Sequence, residues 1–266
     1  MKLNDKVFVV TGGGSGIGQQ LVLELLRRGA RVAAVDLRQE GLDETVRLAA
    51  SGDRLSVHQA NITDKERVFA LPEEVSAHHG AIDGLINCAG IIQPFVDFKD
   101  LEYDVIERVL NVNLWGTIHM LKAFLPSLLA RPEAHIADVS SMGGFLSFPG
   151  QTLYSASKAA VKLLTEGLYS ELMETSVGVS VVMPGAVATH ITENSGVDGP
   201  AAPDSDKAAN MTTPADVAAK VILDGIERKK LHILVGRDAK MLHIASRIST
   251  SWATRFIQRQ MKSMRE

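Results

Sequence analysis

The chain has 266 residues, 45% of them hydrophobic and 22% charged, with a formal net charge of −3. That length and balance fit a soluble α/β domain with a sizeable core and exclude a chain that is mainly disordered. The single cysteine, Cys88, excludes an intrachain disulfide and a cysteine-rich zinc site, and the slight acidity gives no global basic field for nucleic acid.

The opening MKLNDKVFVVTGGG has only a short apolar stretch before a glycine cluster, too short for the core of a signal peptide. No uncharged apolar run approaches the ~20 residues of a membrane span. The expected compartment is therefore reducing and cytoplasmic. Along the chain, β-branched runs alternate with longer helical patterns. Strands are expected at 6–10, 31–36, 55–60, 83–88, 135–140, 177–184 and 231–236. Helices are expected over 16–28, 64–78, 103–130, 155–175 and 214–228, with faces such as Val161, Leu164, Leu168 and Leu172 at helical spacing. The alternation predicts a doubly wound parallel sheet of about seven strands with helices on both faces, a Rossmann-type fold.

A single domain is expected over 1–238. Within it, Thr189–Thr213 is poor in core residues and rich in Gly and Pro, and is expected to form a substrate lid. Thr213-Pro214-Ala215-Asp216 predicts a helix start with Thr213 as N-cap and Pro214 in the first position. The segment 239–266 carries six basic residues and one acid. Met241, Ile244, Ile248, Trp252, Phe256 and Met261 recur there at near-helical spacing. This basic amphipathic extension is expected to pack on its own domain or on a second subunit. Attachment to an anionic membrane is the less favoured reading.

Two constellations carry chemistry. The first strand runs into Thr11-Gly12-Gly13-Gly14-Ser15-Gly16-Ile17-Gly18 and then a helix. Glycines there let a backbone approach a pyrophosphate, and the helix N-terminus favours its charge. The spacing is T-G-x-x-x-G-x-G rather than G-x-G-x-x-G. Asp36 ends the second strand, where a carboxylate accepts from adenosine ribose hydroxyls and repels a 2′-phosphate. This favours NAD(H); Arg38, two residues on, could pair with a phosphate and keeps NADP(H) open.

The second constellation is Tyr154-Ser155-Ala156-Ser157-Lys158. Four residues apart on a helix, a phenol and an ammonium share a face. A nearby cation favours the phenolate, which suits proton transfer near neutral pH. Ser141 lies thirteen residues earlier, just after a strand, where parallel sheets bind ligands. Asn113 sits in Asn111-Val112-Asn113-Leu114-Trp115-Gly116, inside a long expected helix. No H-E-x-x-H is present, and His78 and His79 are adjacent, so no metal is expected.

These motifs, in this order, resemble the short-chain dehydrogenase/reductase family. The likeness covers about residues 4–236. It includes the glycine turn, Asn87-Cys88-Ala89-Gly90 where the family has N-N-A-G, the Asn113 segment, Ser141, Tyr154/Lys158, and Pro184-Gly185 followed by Thr189. The resemblance implies a catalytic tetrad of Asn113, Ser141, Tyr154 and Lys158. Tyr154 would exchange the proton, Ser141 orient the substrate oxygen, Lys158 lower the phenol pKa and hold the nicotinamide ribose, and Asn113 hold a water.

The cofactor would lie on Gly12, Ser15, Gly16, Ile17, Gly18, Asp36, Asn61, Ile62, Asn87, Ala89, Gly90, Tyr154, Lys158, Pro184, Gly185, Val187 and Thr189. The family usually has Asp at position 61, but an amide oxygen there can still accept from the adenine amine. Cys88 reads as a small hydrophobe. The implied activity is hydride transfer between NAD(H) and a secondary alcohol or ketone, in a homotetramer or homodimer. Ile91, Ile92, Phe95, Met142, Phe145, Phe148 and Val187 are candidate pocket neighbours and suggest a hydrophobic substrate. Competing readings are a catalytically idle dinucleotide-binding sensor and an NADP(H)-dependent acyl-carrier-protein reductase. The intact tetrad disfavours the first and Asp36 the second.

Overall fold

A computed structural model of the protein describes residues 1–197 and 212–262. Its core is one seven-stranded parallel sheet. The strands are β1 (Val7–Thr11), β2 (Arg31–Asp36), β3 (Leu55–Gln59), β4 (Gly84–Asn87), β5 (Ala134–Val139), β6 (Val177–Pro184) and β9 (His232–Val235), lying in the order β3-β2-β1-β4-β5-β6-β9. Every expected strand forms, within one residue at each end. The two residues β7 (Val187–Ala188) and β8 (Thr213–Pro214) make a separate parallel pair.

The sheet is buried on both sides because its strands are apolar on both faces. In β1, Phe8 and Val10 face one layer while Val7 and Val9 face the other. The first layer is built on α1 (Gly16–Arg27) and α8 (Ala215–Glu227), through Leu21, Leu25, Ala218 and Ile222. The second is built on α3 (Lys65–His79) and α5 (Thr117–Leu129), through Val68, Leu71, Met120 and Phe124. A side chain at Gly84 would run into the Phe8 ring, so this glycine lets β4 close on β1. From β1 the chain goes to β2 and β3 on one side, then returns to β4 on the other. At that reversal the crevice opens beyond the carboxyl ends of β1 and β4, where such sheets bind ligands.

Three expectations are corrected. The long helix over 103–130 is α4 (Tyr103–Leu110), a π-turn at Asn111–Gly116, and α5. Helix α8 starts at Ala215, not Pro214, because Thr213 and Pro214 are drawn into the pair with Val187 and Ala188. The C-terminal extension is two helices, α9 (Arg237–Ile248) and α10 (Thr250–Lys262), broken at Ser249, which is extended.

That break changes which residues dock. Ala239, Leu242, Ala253 and Ile257 are buried with Met142 and Leu146, and Phe256 packs against them. Met241, Ile244, Ile248 and Trp252 of the expected face stay exposed. The side chain of Met261 and residues 198–211 of the expected lid lie outside the described residues. Helix α2 (Gln39–Ala49) and the short α7 (Ile191–Ser195) were not foreseen. No helix among the described residues is long and apolar enough to cross a membrane.

Candidate active site

One continuous cleft of about 420 Å³ opens at the crevice, lined by the glycine turn and Asp36 and also by Ser141, Tyr154 and Lys158. The turn is held from below. Thr11 Oγ1 accepts from Cys88 N at 3.0 Å and Ala89 N at 3.1 Å, which locks the end of β1 to the end of β4. Gly12 has φ +71°, and an added Cβ would lie 3.1 Å from the Ala89 backbone. A Cβ at Gly18 would strike the Gly12 carbonyl. Only glycine permits this approach of helix to turn. Helix α1 begins at Gly16 with no side-chain cap and no acid in its first turn, so its leading amides have no partner of their own. An uncapped helix end opening on a cleft fits a phosphate-bearing ligand.

Asp36 closes the turn from the side. Its Oδ2 accepts from Gly14 N at 2.9 Å and its Oδ1 from Arg38 N at 3.0 Å. The Arg38 guanidinium reaches back across the cleft edge to Ser15 Oγ at 3.5 Å. Ser15 Oγ also accepts from Asn194 Nδ2 at 2.8 Å, which brings α7 over the turn. Thr189 stands against Gly16, 3.3 Å from where a Cβ would sit.

The side chains expected to react, Ser141, Tyr154 and Lys158, stand together. Ser141 Oγ accepts from Gly143 N at 3.0 Å, which leaves its proton for the Tyr154 phenol. Lys158 is 4% exposed and donates to Val139 O at 2.9 Å. Its helix α6 (Thr152–Leu172) is tied to β5 by Ser140 Oγ, which donates to Lys158 O at 2.7 Å. Burial pulls the Lys158 ammonium down to about 8, partly opposed by Cys88 and Asp138. Burial lifts the Tyr154 phenol above its ordinary value, and the Ser141 hydrogen bond opposes that lift. The expected depression by Lys158 is thus not what this geometry gives: desolvation wins, and Ser141 is the group that favours the phenolate. Burial also pushes the Cys88 thiol up to about 12, which fits a small apolar group rather than a nucleophile.

Every expected cofactor residue but Asn87 lines the cleft, and of the expected tetrad Asn113 does not. Asn113 is fully buried behind it. Its Oδ1 accepts from Ile91 N at 2.8 Å, and its Nδ2 donates to Ile91 O and Ser157 Oγ, both at 2.9 Å. Its side chain thereby ties the Ile91 backbone to Ser157 of the catalytic-motif helix. Asn61 is at the cleft, but its Oδ1 accepts from Thr63 N at 3.0 Å and Thr63 Oγ1 at 2.9 Å. Those contacts fold the Asn61 side chain onto the Thr63 turn at the cleft edge. Ile91, Ile92 and Val187 line the cleft, whereas Phe95, Met142, Phe145 and Phe148 do not. Met142, Phe145 and Phe148 pack in the cluster under α9 and α10 instead. Asp238 of α9 accepts from the N–H of Ala186, a residue of the cleft lining, at 2.7 Å.

Asn87 leads to a group the sequence did not advertise. It donates through Nδ2 to Asp138 Oδ1 at 2.8 Å, and Asp138 is fully buried in β5. The Thr165 hydroxyl lies 2.7 Å from Val161 O and 2.9 Å from Asp138 Oδ2, but it has one proton. All three contacts are satisfied when Asp138 is protonated and donates to Thr165, which donates to Val161 O. Burial correspondingly lifts Asp138 from near 3.8 to about 6, against the Asn87 and Thr165 contacts. Between those values the fold holds a proton that the unfolded chain has released, so stability falls as pH rises through the window. Asp138→Asn should therefore stabilise the protein at about pH 7.5 by on the order of 2–3 kcal/mol and do little near pH 4. Denaturant unfolding at both pH values checks this; a variant equally shifted at both, or destabilised at pH 7.5, would show that the carboxyl is not held neutral.

Among the described residues, no group of three or more His, Cys, Asp or Glu could hold a metal ion. A family model described as short chain dehydrogenase matches residues 6–198. SadH, a Mycobacterium tuberculosis protein named as an oxidoreductase, is 36% identical over 260 residues, covering 95% of this chain and 94% of its own. A short-chain dehydrogenase/reductase of Burkholderia phymatum in complex with NAD superposes with TM-score 0.79 at 28% identity, covering 88% of this chain and 90% of that one. A short-chain dehydrogenase of Burkholderia cenocepacia in complex with NADP gives TM-score 0.82 at 26% identity, covering 97% and 99%. Sequence, sheet order and site agree, and the chain belongs to the short-chain dehydrogenase family of oxidoreductases.

Proposed function

We propose that the protein is an NAD(H)-dependent dehydrogenase acting between secondary alcohols and ketones, with Tyr154 as general acid and base. The observation that carries this reading is the meeting of Ser141, Tyr154 and Lys158 on the cleft that begins at the glycine turn. A bound nicotinamide dinucleotide supplies or accepts the hydride. In the reducing direction the substrate carbon gains that hydride while its oxygen takes the Tyr154 proton. Ser141 donates to the same oxygen, since Gly143 N already occupies its acceptor side. Lys158, buried and donating to Val139 O, lines the same cleft as the phenol and would hold the nicotinamide ribose there. Reversal oxidises the alcohol.

An apolar substrate fits the aliphatic lining from Ile91, Ile92 and Ile191. The expectation of a homo-oligomer stands as part of this proposal. A panel of secondary alcohols and ketones, assayed with each dinucleotide, tests the reading.

The choice of NAD(H) rests on Asp36. A carboxylate pinned by two backbone amides has a fixed place at the end of β2, where it repels a 2′-phosphate. Both dinucleotides appear in complexes of similar proteins, so the discriminating residues belong to this chain. Asp36→Ala should lower kcat/KM for NAD by about tenfold and raise it for NADP, because the carboxylate that repels a 2′-phosphate is gone while the Arg38 guanidinium stays at the cleft edge beside Ser15. Steady-state kinetics with both cofactors measures this. A wild type that already prefers NADP(H) would remove the argument.

A further inference from the structure

The segment Gly90–Gln93, just past β4, touches a different part of the site with each residue. Gly90 leaves room for Lys158, whose Nζ would lie 3.0 Å from an added Cβ. Ile91 is gripped through both its N–H and its C=O by Asn113. Ile92 N donates to Ser195 Oγ at 3.0 Å, which holds α7. Gln93 is fully buried and turns toward α6.

Helix α6 has no side-chain cap from its own N-cap residue, Gln151. Gln93 takes that place from sixty residues away. Its Oε1 accepts from Leu153 N at 2.8 Å and from Tyr154 N at 3.0 Å. Its Nε2 donates to Gly150 O at 3.0 Å, and its main-chain O accepts from Gln151 Nε2 at 2.8 Å. A helix start must satisfy its leading amides, and a buried start without partners is costly. Here two of those amides, one of them that of Tyr154 itself, are satisfied by a single side-chain oxygen. Tyr154 lies in the first turn of the helix, where fraying would move the phenol most.

We propose that Gln93 is a positioning residue for the reaction: it caps the catalytic helix from outside and fixes Tyr154 against Ser141. The inference rests on Tyr154 being the acid and base. Geometric precision of this kind is worth orders of magnitude in rate when reacting atoms must stay within a few tenths of an ångström.

Gln93→Leu keeps the approximate volume and removes every side-chain hydrogen bond. It should lower kcat by about 10- to 100-fold, with NADH affinity within about twofold because neither the glycine turn nor Asp36 touches Gln93. Hydrogen exchange at the Leu153 and Tyr154 amides should quicken by at least about tenfold. Gln93→Glu keeps an acceptor on both amides, and burial together with Gly150 O, which faces its other oxygen, favours the protonated form, a donor like the amide it replaces. It should therefore protect both amides and keep kcat within about threefold of wild type near pH 6, with the loss growing as rising pH ionises the carboxyl against Gly150 O.

A helix packed only for stability would lower the melting temperature of Gln93→Leu without altering kcat or exchange at these two amides, and that pattern would overturn the proposal, as would a folded Gln93→Glu that protects both amides near pH 6 yet loses kcat by more than about tenfold. Should Gln93→Leu fail to fold, Gln93→Glu decides alone. Failure of the Tyr154 assignment has a separate signature: Tyr154→Phe would then retain turnover, whatever Gln93 does.

Discussion

Tyr154→Phe is expected to lower kcat by about two to four orders of magnitude, the range for loss of a positioned acid or base, while NADH affinity stays within about twofold. The substitution removes one oxygen. Ser141 Oγ stays held by Gly143 N, Lys158 stays on Val139 O, and the helix start stays on Gln93. The loss therefore falls on the chemical step. Fluorescence titration with NADH alongside steady-state kinetics separates the two effects. Retention of more than about a tenth of wild-type kcat would remove Tyr154 from its role.

Lys158→Met should be the other severe variant, with a different signature. The methionine fills much of the same space and deletes the charge. Rate should fall by at least about a hundredfold. NADH should bind more weakly as well, because the ammonium lines the same cleft as the glycine turn. The wild-type ammonium is drawn down to about 8 by burial, so it loses its charge as pH rises through that value. The charge it brings to the cleft is therefore greatest below pH 8 and fades above it. The rate ratio between wild type and Lys158→Met should accordingly narrow from pH 7 to about pH 9.5. A ratio that stays flat across that range would mean that volume, not charge, is what Lys158 contributes.

The fold was legible because parallel strands buried on both faces are written as short unbroken apolar runs, here from Val7–Thr11 to His232–Val235. The glycine turn was legible because the close approach of Gly18 to Gly12 leaves no other residue type. Tyr154, Lys158 and Ser141 were legible through fixed spacing within one strand–helix unit. What escaped is what distant segments do to one another. Gln93 belongs to no motif, and its task is set by amides sixty residues on. Asp138 sits in an apolar strand, and its raised proton affinity comes from burial that only the folded layers create.

Met142, Phe145 and Phe148 read as pocket residues because they follow Ser141. They are drawn instead to α9 and α10, whose break at Ser249 the spacing of Met241 to Phe256 concealed. Asn113 shows the same limit in a milder form. Its place in a helical segment was legible, whereas its contacts to Ile91 and Ser157, set by distant parts of the chain, were not.

The most direct test is turnover by the purified wild-type protein of a panel of secondary alcohols with NAD, followed by nicotinamide absorbance beside Tyr154→Phe. The account predicts reduction of NAD by the wild type with at least one apolar secondary alcohol, a lower kcat/KM with NADP, and no turnover by the variant. Tight NADH binding with no turnover of any alcohol or ketone in either direction would contradict it, and would leave a dinucleotide-binding protein whose tetrad is idle.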